Sequence, residues 1–133
     1  MLNEPLWLPA DEVIETNKDV VSETGESFAV INRSGLEIAL ASPMNRFAFG
    51  ETDNVIELAV VLLFSLVRNH PFEQGNKRTA LVSAIQFMQA NGFTVVLPDT
   101  KELGELIVAV IEGAMTEAEF LEFISPYVVP LED

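Results

Sequence analysis

The chain of 133 residues contains no cysteine, a single histidine and only seven lysine and arginine residues. The lack of cysteine excludes disulfide bonds and thiolate metal sites. The seven basic residues stand against 21 acidic ones, which gives a net charge of −14. Because a phosphate backbone is bound by several cations on one face, this charge balance disfavours nucleic acid as a partner. It favours instead a partner with a basic surface.

Long hydrophobic runs are also missing from the sequence. The longest apolar stretch, residues 55–67, is 13 residues long and contains Glu57 and Ser65. It is too short to span a membrane and predicts a buried core helix. Residues 1–5 show neither the basic nor the apolar region of a signal peptide. We therefore expect a soluble, cytoplasmic protein with one domain over residues 1–133, since this length suits a single hydrophobic core.

The first half of the chain predicts two helices and a flap. Pro9 begins the first helix, and Gly25 ends it. Residues 26–33 are short and alternate between polar and apolar, so we expect a loop or a hairpin-like flap there. Residues 36–41 are predicted to form a short helix that Ser42 and Pro43 end, because the residue before a proline avoids helical angles. An aromatic loop is expected over residues 44–50.

The second half is more regular and completes an all-α fold with one small β flap. Its predicted elements are a helix capped by Thr52 or Asp53 and running to about Asn69, a helix from about Asn76 to Asn91, an extended segment over 93–97, a helix over 100–111, and a final helix that opens with the capping box of Thr116 and Glu119 and stops before Pro126.

One stretch collects most of the residues that can carry chemistry. Its nine members are His70, Pro71, Phe72, Glu73, Gln74, Gly75, Asn76, Lys77 and Arg78. It contains the single histidine, and three of the seven basic residues lie between positions 68 and 78, Arg68 included. A loop that turns into a helix presents unpaired backbone N–H groups with partial positive charge, where phosphates bind readily. The pattern therefore predicts a phosphate site.

Each residue type in this stretch suits a step of phosphoryl or nucleotidyl transfer. His70 is a candidate proton acceptor for an attacking hydroxyl. Gly75 allows the backbone to approach a ligand closely. Asn76 and Lys77 fall at the start of the helix, and Arg78 offers a planar fork to phosphate oxygens.

Each of these residues alone also has a structural explanation. A histidine beside a proline is more often structural than catalytic, and Gly75-Asn76 is a common turn and helix cap. Lys77 and Arg78 alone would usually be solvated surface residues. It is the combination that favours a functional site, with Phe72 as the residue that anchors the loop in the core.

The stretch resembles the signature of the Fic family, and its continuation through Thr79, Ala80 and Leu81 resembles the death-on-curing (Doc) branch. The likeness extends over residues 8–92. It implies a helical core of about six helices and a flap that docks a segment of the target protein. The flap residues would be Glu26, Ser27, Phe28 and Arg33.

The resemblance also implies an activity. Fic proteins usually transfer AMP from ATP to a protein hydroxyl with Mg²⁺, whereas Doc-branch proteins resemble kinases and carry a lysine where Lys77 stands. His70 would be the general base, Gly75 would form an anion nest, and Asn76, Lys77 and Arg78 would hold the phosphates. The implied target is a translation factor such as elongation factor Tu, phosphorylated on threonine. The protein would then be a toxin that a small antitoxin restrains.

The metal position departs from the family pattern. The family has an acidic residue two places before the asparagine, where this chain has Gln74, with Glu73 one place earlier. An amide oxygen is a poorer Mg²⁺ ligand than a carboxylate. Three hypotheses follow: a Doc-like protein kinase, favoured by Lys77; an AMP transferase of the wider family; and a non-catalytic nucleotide-binding module, favoured by Gln74.

Some Fic proteins restrain themselves with a Ser/Thr-x-x-x-Glu-Gly/Asn helix. Two segments come near this pattern. Ser22 and Glu26 have the required spacing, but Ser27 stands where the pattern needs glycine or asparagine. Glu112 and Gly113 fit the end of the pattern, but Val108 stands where it needs serine or threonine, so neither segment matches. We therefore expect the inhibitor to be a separate antitoxin polypeptide, bound as a helix in an apolar groove. The apolar composition also leaves room for a homo-oligomer.

Overall fold

The computed structural model describes residues 4–96, 105–106, 109, 112–113 and 115–131. In this part of the chain the fold is helical with one small sheet, which confirms the predicted all-α class. The elements are α1 (Ala10–Thr24), α2 (Arg33–Ala48), α3 (Val55–Asn69), α4 (Asn76–Ala90), β1 (Phe93–Val95), α5 (Glu117–Ile124), a 3₁₀ turn (Ser125–Tyr127) and β2 (Val128–Pro130). Strand β1 pairs antiparallel with β2, with Thr94 opposite Val129.

Helix α3 forms the centre of the core. It is apolar around most of its surface, and it packs against α2 and α4. Leu58, Leu62 and Leu66, one turn apart, are each at most 1% exposed. Burying each leucine contributes roughly 1.5–3 kcal/mol. Because α3 ends at Asn69, this packing sets the position of the functional loop that follows it.

Helix α2 is longer than the sequence suggested. The predicted short helix over 36–41, ended at Pro43, and the aromatic loop over 44–50 are both wrong, since α2 runs from Arg33 to Ala48 with Pro43 inside it. Pro43 itself is buried, and core positions lie on both sides of it, at Ala39 and Phe47. Packing against α3 therefore outweighs the cost of an internal proline, which is about 3 kcal/mol.

The other helix boundaries follow the local signals closely. Helix α1 begins after Pro9 and ends at Gly25, whose φ of 71° closes a left-handed cap. The N-cap of α3 is Asn54, not Thr52 or Asp53, because the Asn54 side chain accepts a hydrogen bond from Glu57 N at 3.0 Å. The capping box that opens α5 is confirmed in full.

Two predicted segments remain, the helix over 100–111 and the flap over 26–33. The helix over 100–111 lies mostly outside the described residues, although Glu105, Leu106 and Ala109 are helical. Residues 26–32, the flap segment, belong to no helix or strand and have no hairpin partner of their own among the described residues. Its single bridge joins Val30 to Phe72, and Arg33 already belongs to α2.

No described helix has the length and apolar character needed to cross a membrane.

Candidate functional site

The functional stretch forms a loop, residues 70–75, between the end of α3 and the start of α4; we call it the motif loop. His70 lies at the C-terminal cap of α3 with φ 45° and ψ 59°, and it is the one non-glycine residue with positive φ in the described chain. Such a backbone conformation costs of order 1 kcal/mol and persists where surrounding contacts enforce it. It reverses the chain so that the imidazole lies beside the first residue of α4.

Asn76 holds the motif loop closed. Its Oδ1 accepts a hydrogen bond from Phe72 N at 2.9 Å, and its Nδ2 donates one to Phe72 O at 2.7 Å. The same Nδ2 lies 3.3 Å from both ring nitrogens of His70. Because the side chain is 6% exposed and used within the protein, the contribution that Asn76 can offer a phosphate is its backbone N–H.

The start of α4 presents the backbone donors expected of an anion site. The first helical hydrogen bond runs from Thr79 N to Gly75 O at 2.9 Å. The N–H groups of Asn76, Lys77 and Arg78 precede it, and such first-turn groups have no intrahelical acceptor. Their partial positive charge favours an anion.

Gly75 is required where α1 crosses the motif loop. It caps α4 with φ 72° and ψ 19°, a left-handed conformation that side chains rarely adopt. A Cβ at this position would lie 3.1 Å from Val21 Cγ1 and 3.2 Å from Val20 Cγ1. The backbone of the loop therefore packs directly against α1. The close approach of Gly75 to a ligand, which the sequence indicated, stays a prediction.

Arg78 is already engaged by the end of α1. Its guanidinium donates to the Glu26 carboxylate, to Val20 O at 3.4 Å and to Thr24 Oγ1 at 3.5 Å. The Thr24 hydroxyl also donates to Glu26. The hydrogen bonds from Thr24 and from Arg78 hold the pKa of the Glu26 carboxyl below its usual value. A phosphate that binds Arg78 must compete with Glu26, which the sequence analysis placed in the target-docking flap.

The other two basic residues between positions 68 and 78, Arg68 and Lys77, lie apart in the structure. Lys77 is exposed at the start of α4 and has no ion-pair partner within the described residues. Arg68 instead lines a cavity of about 240 Å³ between α2 and α3, together with Ser42, Asn45 and Arg46. The sequence placed Arg68 and Lys77 in one cluster, but only Lys77 lies in the first turn of α4.

The flap segment runs alongside the motif loop. Ile31 N and Asn32 N donate to Pro71 O at 2.9 and 3.1 Å, and Glu73 N donates to Ala29 O at 3.0 Å. These bonds tie residues 29–32 to the loop that carries His70.

Other predicted flap residues have different surroundings. Phe28 is 39% exposed, with Lys18 Nζ 5.2 Å from its ring centroid. Arg33 pairs with Glu37 inside α2, at 3.7 Å. Arg33 is therefore part of a helix that follows the flap segment, not of the segment itself.

The two candidate metal ligands are exposed but differently held. The Glu73 carboxylate accepts a hydrogen bond from Ser27 Oγ at 3.2 Å, so it faces the flap segment. The backbone carbonyl of Gln74 accepts a hydrogen bond from Asn17 Nδ2 at 2.8 Å. No group of three or more His, Cys, Asp or Glu residues that could hold a metal occurs in the described part of the chain. Mg²⁺ often takes only one or two protein carboxylates beside phosphate and water oxygens, and Glu73 meets that minimum.

Asn17 of α1 is a site residue that the sequence analysis did not single out. It is fully buried, and its Nδ2 donates to Gln74 O at 2.8 Å and to Thr79 Oγ1 at 3.0 Å. A signal was present in the sequence, because Asn17 interrupts a stripe of apolar residues between Val13 and Val21. That pattern does not reveal which loop the amide contacts.

Comparison with known proteins identifies the family of this chain. The family model described as "Fic/DOC family" matches residues 7–88, which include α1, the flap segment, the motif loop and most of α4. The protein named "Protein kinase doc" from Escherichia phage P1 is 29% identical over 106 residues, covering 80% of this chain and 82% of that protein. The chain belongs to the Fic/DOC family.

Proposed function

We propose that this chain is a Doc-like toxin that transfers phosphate from ATP to a serine or threonine hydroxyl of a target protein. The observation that carries the proposal is that a proton acceptor lies beside the residue that begins an anion site. The ring nitrogens of His70 lie 3.3 Å from Nδ2 of Asn76, and the backbone N–H of Asn76 is the first of the free donors of α4. The relative named as a protein kinase favours phosphate as the transferred group, as does Lys77 after Asn76.

The proposed reaction uses the residues of the site as follows. The N-terminal N–H groups of α4, Lys77 and Arg78 hold the ATP phosphates, with Arg78 exchanging Glu26 for a phosphate oxygen. His70 accepts the proton of the target hydroxyl. The hydroxyl oxygen then bonds to the γ-phosphorus as the bond to the β,γ-bridging oxygen breaks, and ADP leaves with that electron pair. Mg²⁺, if it accompanies ATP, would neutralise phosphate charge, with Glu73 as its protein ligand.

The flap segment is the proposed docking edge for the target. One edge of it is used by the motif loop, through Ala29 O, Ile31 N and Asn32 N. In the antiparallel bridge between Val30 and Phe72 the hydrogen bonds are made by the flanking residues Ala29 and Ile31, so the N–H and C=O of Val30 are not used by the motif loop. We propose that a target segment adds there as a strand, beside a flap segment that is hydrogen-bonded to Pro71, the neighbour of His70. In the Doc-like hypothesis this segment belongs to a translation elongation factor such as elongation factor Tu.

Two alternatives make different predictions about the product. An AMP transferase would leave AMP on the target. A non-catalytic nucleotide-binding module would leave the target unmodified. The second alternative has one specific observation in its favour: a neutral Gln74 stands at the family's acidic position, and the nearest motif carboxylate, Glu73, faces Ser27.

The test is incubation of the protein with ATP, Mg²⁺ and a bacterial lysate, followed by intact-mass analysis of the modified proteins. Gain of one phosphate, lost in His70→Ala but kept in Arg68→Ala, is the expected result. Arg68 is the control because it lies two positions before His70, in the last turn of α3, and lines the cavity between α2 and α3. A gain of AMP would establish the wider family's reaction. No mass change with an ATP-binding protein would refute transfer.

The toxin proposal includes an antitoxin polypeptide as partner. It predicts that expression of the chain alone arrests bacterial growth. It also predicts that a small open reading frame lies beside its gene and that co-expression of this frame relieves the arrest. Growth arrest that persists in His70→Ala would contradict the proposed chemistry as the cause of toxicity.

A further inference from the structure

Asn17 is the one polar residue in the buried face of α1 that contacts the motif loop. Its nitrogen lies between two acceptors, Gln74 O and Thr79 Oγ1, so the amide orientation follows from the contacts themselves. The bond to Gln74 O spans 57 positions in the chain and fixes the peptide unit immediately before Gly75. The first donor groups of α4 begin directly after this unit.

The amide of Asn17 has an energetic cost at this position. Asn17 Oδ1 is buried and has no hydrogen-bond partner in the described structure. A buried polar atom without a partner is destabilising. An apolar residue would suit the position, since Val13 and Val21, one turn to either side, are buried apolar residues. Core packing alone therefore does not account for asparagine here.

We infer that Asn17 is a positioning residue for the phosphate site: its bond to Gln74 O holds the Gln74–Gly75 peptide so that the first N–H groups of α4 converge on one anion. The inference rests on the proposed function, because it assigns those groups to ATP phosphates. Without the bond, the loop is held on this side by the packing of Gly75 against Val20 and Val21.

The chain offers variants that separate this role from general packing. Asn17→Leu keeps a side chain of similar size and removes both hydrogen bonds. Thr79→Val removes the bond between Asn17 and Thr79 but keeps the bond to Gln74. Thr16→Val removes another bond between α1 and α4, from Thr16 Oγ1 to Gln86 Oε1 at 3.1 Å, and does not touch the loop.

The first measurement is the dissociation constant of ATP by calorimetry, with urea unfolding of the same proteins. Asn17→Leu should weaken ATP binding about tenfold, because roughly one hydrogen bond no longer holds the phosphate site in its binding geometry. The free energy of unfolding should not fall by a matching amount. Thr79→Val and Thr16→Val should bind ATP within about twofold of wild type. Equal weakening in all three variants, or wild-type affinity in Asn17→Leu, would overturn the inference.

The second measurement does not need a ligand. Hydrogen exchange of the Thr79 backbone N–H, which donates to Gly75 O at 2.9 Å, should become faster in Asn17→Leu and stay unchanged in Thr16→Val. If wild-type protein does not bind ATP, the proposed function fails, and this exchange still decides the positioning role. Unchanged exchange in Asn17→Leu would show that Asn17 does not hold the loop.

Discussion

Replacing Gly75 with alanine tests the contact between α1 and the motif loop most directly. The position has φ 72°, and the added methyl group would lie 3.1 Å from Val21 Cγ1 and 3.2 Å from Val20 Cγ1. Both contacts are closer than ordinary van der Waals distances, so α1 or the loop must shift. Because the shift also affects the peptide unit that begins α4, we expect loss of stability together with loss of ATP affinity.

Gly50 provides a matched control for the backbone effect. It has the same φ of 72°, but an added Cβ would meet no atom within 4 Å. Placing alanine in the left-handed region costs about 1–2 kcal/mol, and the reduced entropy of the unfolded chain returns roughly 0.4–1 kcal/mol. Gly50→Ala should therefore lose about 1 kcal/mol of the free energy of unfolding.

The contacts at Gly75 add a second cost. Overpacking a well-filled site typically costs roughly 1–3 kcal/mol, so Gly75→Ala should lose about 2–4 kcal/mol in all. Urea unfolding measures both variants, read as a shift in midpoint at an unchanged slope. An equal loss of stability in the two variants would refute the close packing of α1 on the motif loop. Normal ATP affinity in Gly75→Ala would refute the link from this packing to the anion site.

Three further predictions follow from the same site. Asn76→Ala should lose about 2–4 kcal/mol of the free energy of unfolding, because Phe72 N and O lose their partners in the core; a loss under about 1 kcal/mol in urea unfolding would contradict the clamp. Glu26→Gln should lower the ATP dissociation constant several-fold by releasing Arg78. Since the pKa of Glu26 is lowered, its contribution to stability is present above its usual value of 4.5 and lost as pH falls through the lowered pKa, a loss that the variant should not show in acid titration. Gln74→Asp should steepen the Mg²⁺ dependence of transfer, and an unchanged Mg²⁺ titration would place the metal elsewhere.

Local signals predicted those elements whose ends are set by neighbouring residues. Pro9 and Gly25 bound α1, and Thr116 with Glu119 opens α5, because caps act over a single turn. The same reasoning failed at Pro43. There the local preference of proline to end a helix opposes burial against α3, and no short window of sequence contains that partner.

The sequence by itself determined the helical class and the segment that carries the site. The helical class follows from the spacing of apolar residues and from capping residues, which act locally. The residue types at positions 70–78 indicate a phosphate site. The tertiary structure alone decided which groups meet there. Packing of α1 on the motif loop brings Asn17 to Gln74 and Glu26 to Arg78, and it requires Gly75 to lack a side chain. These contacts join residues more than 50 positions apart, and their geometry follows from how whole helices pack around α3.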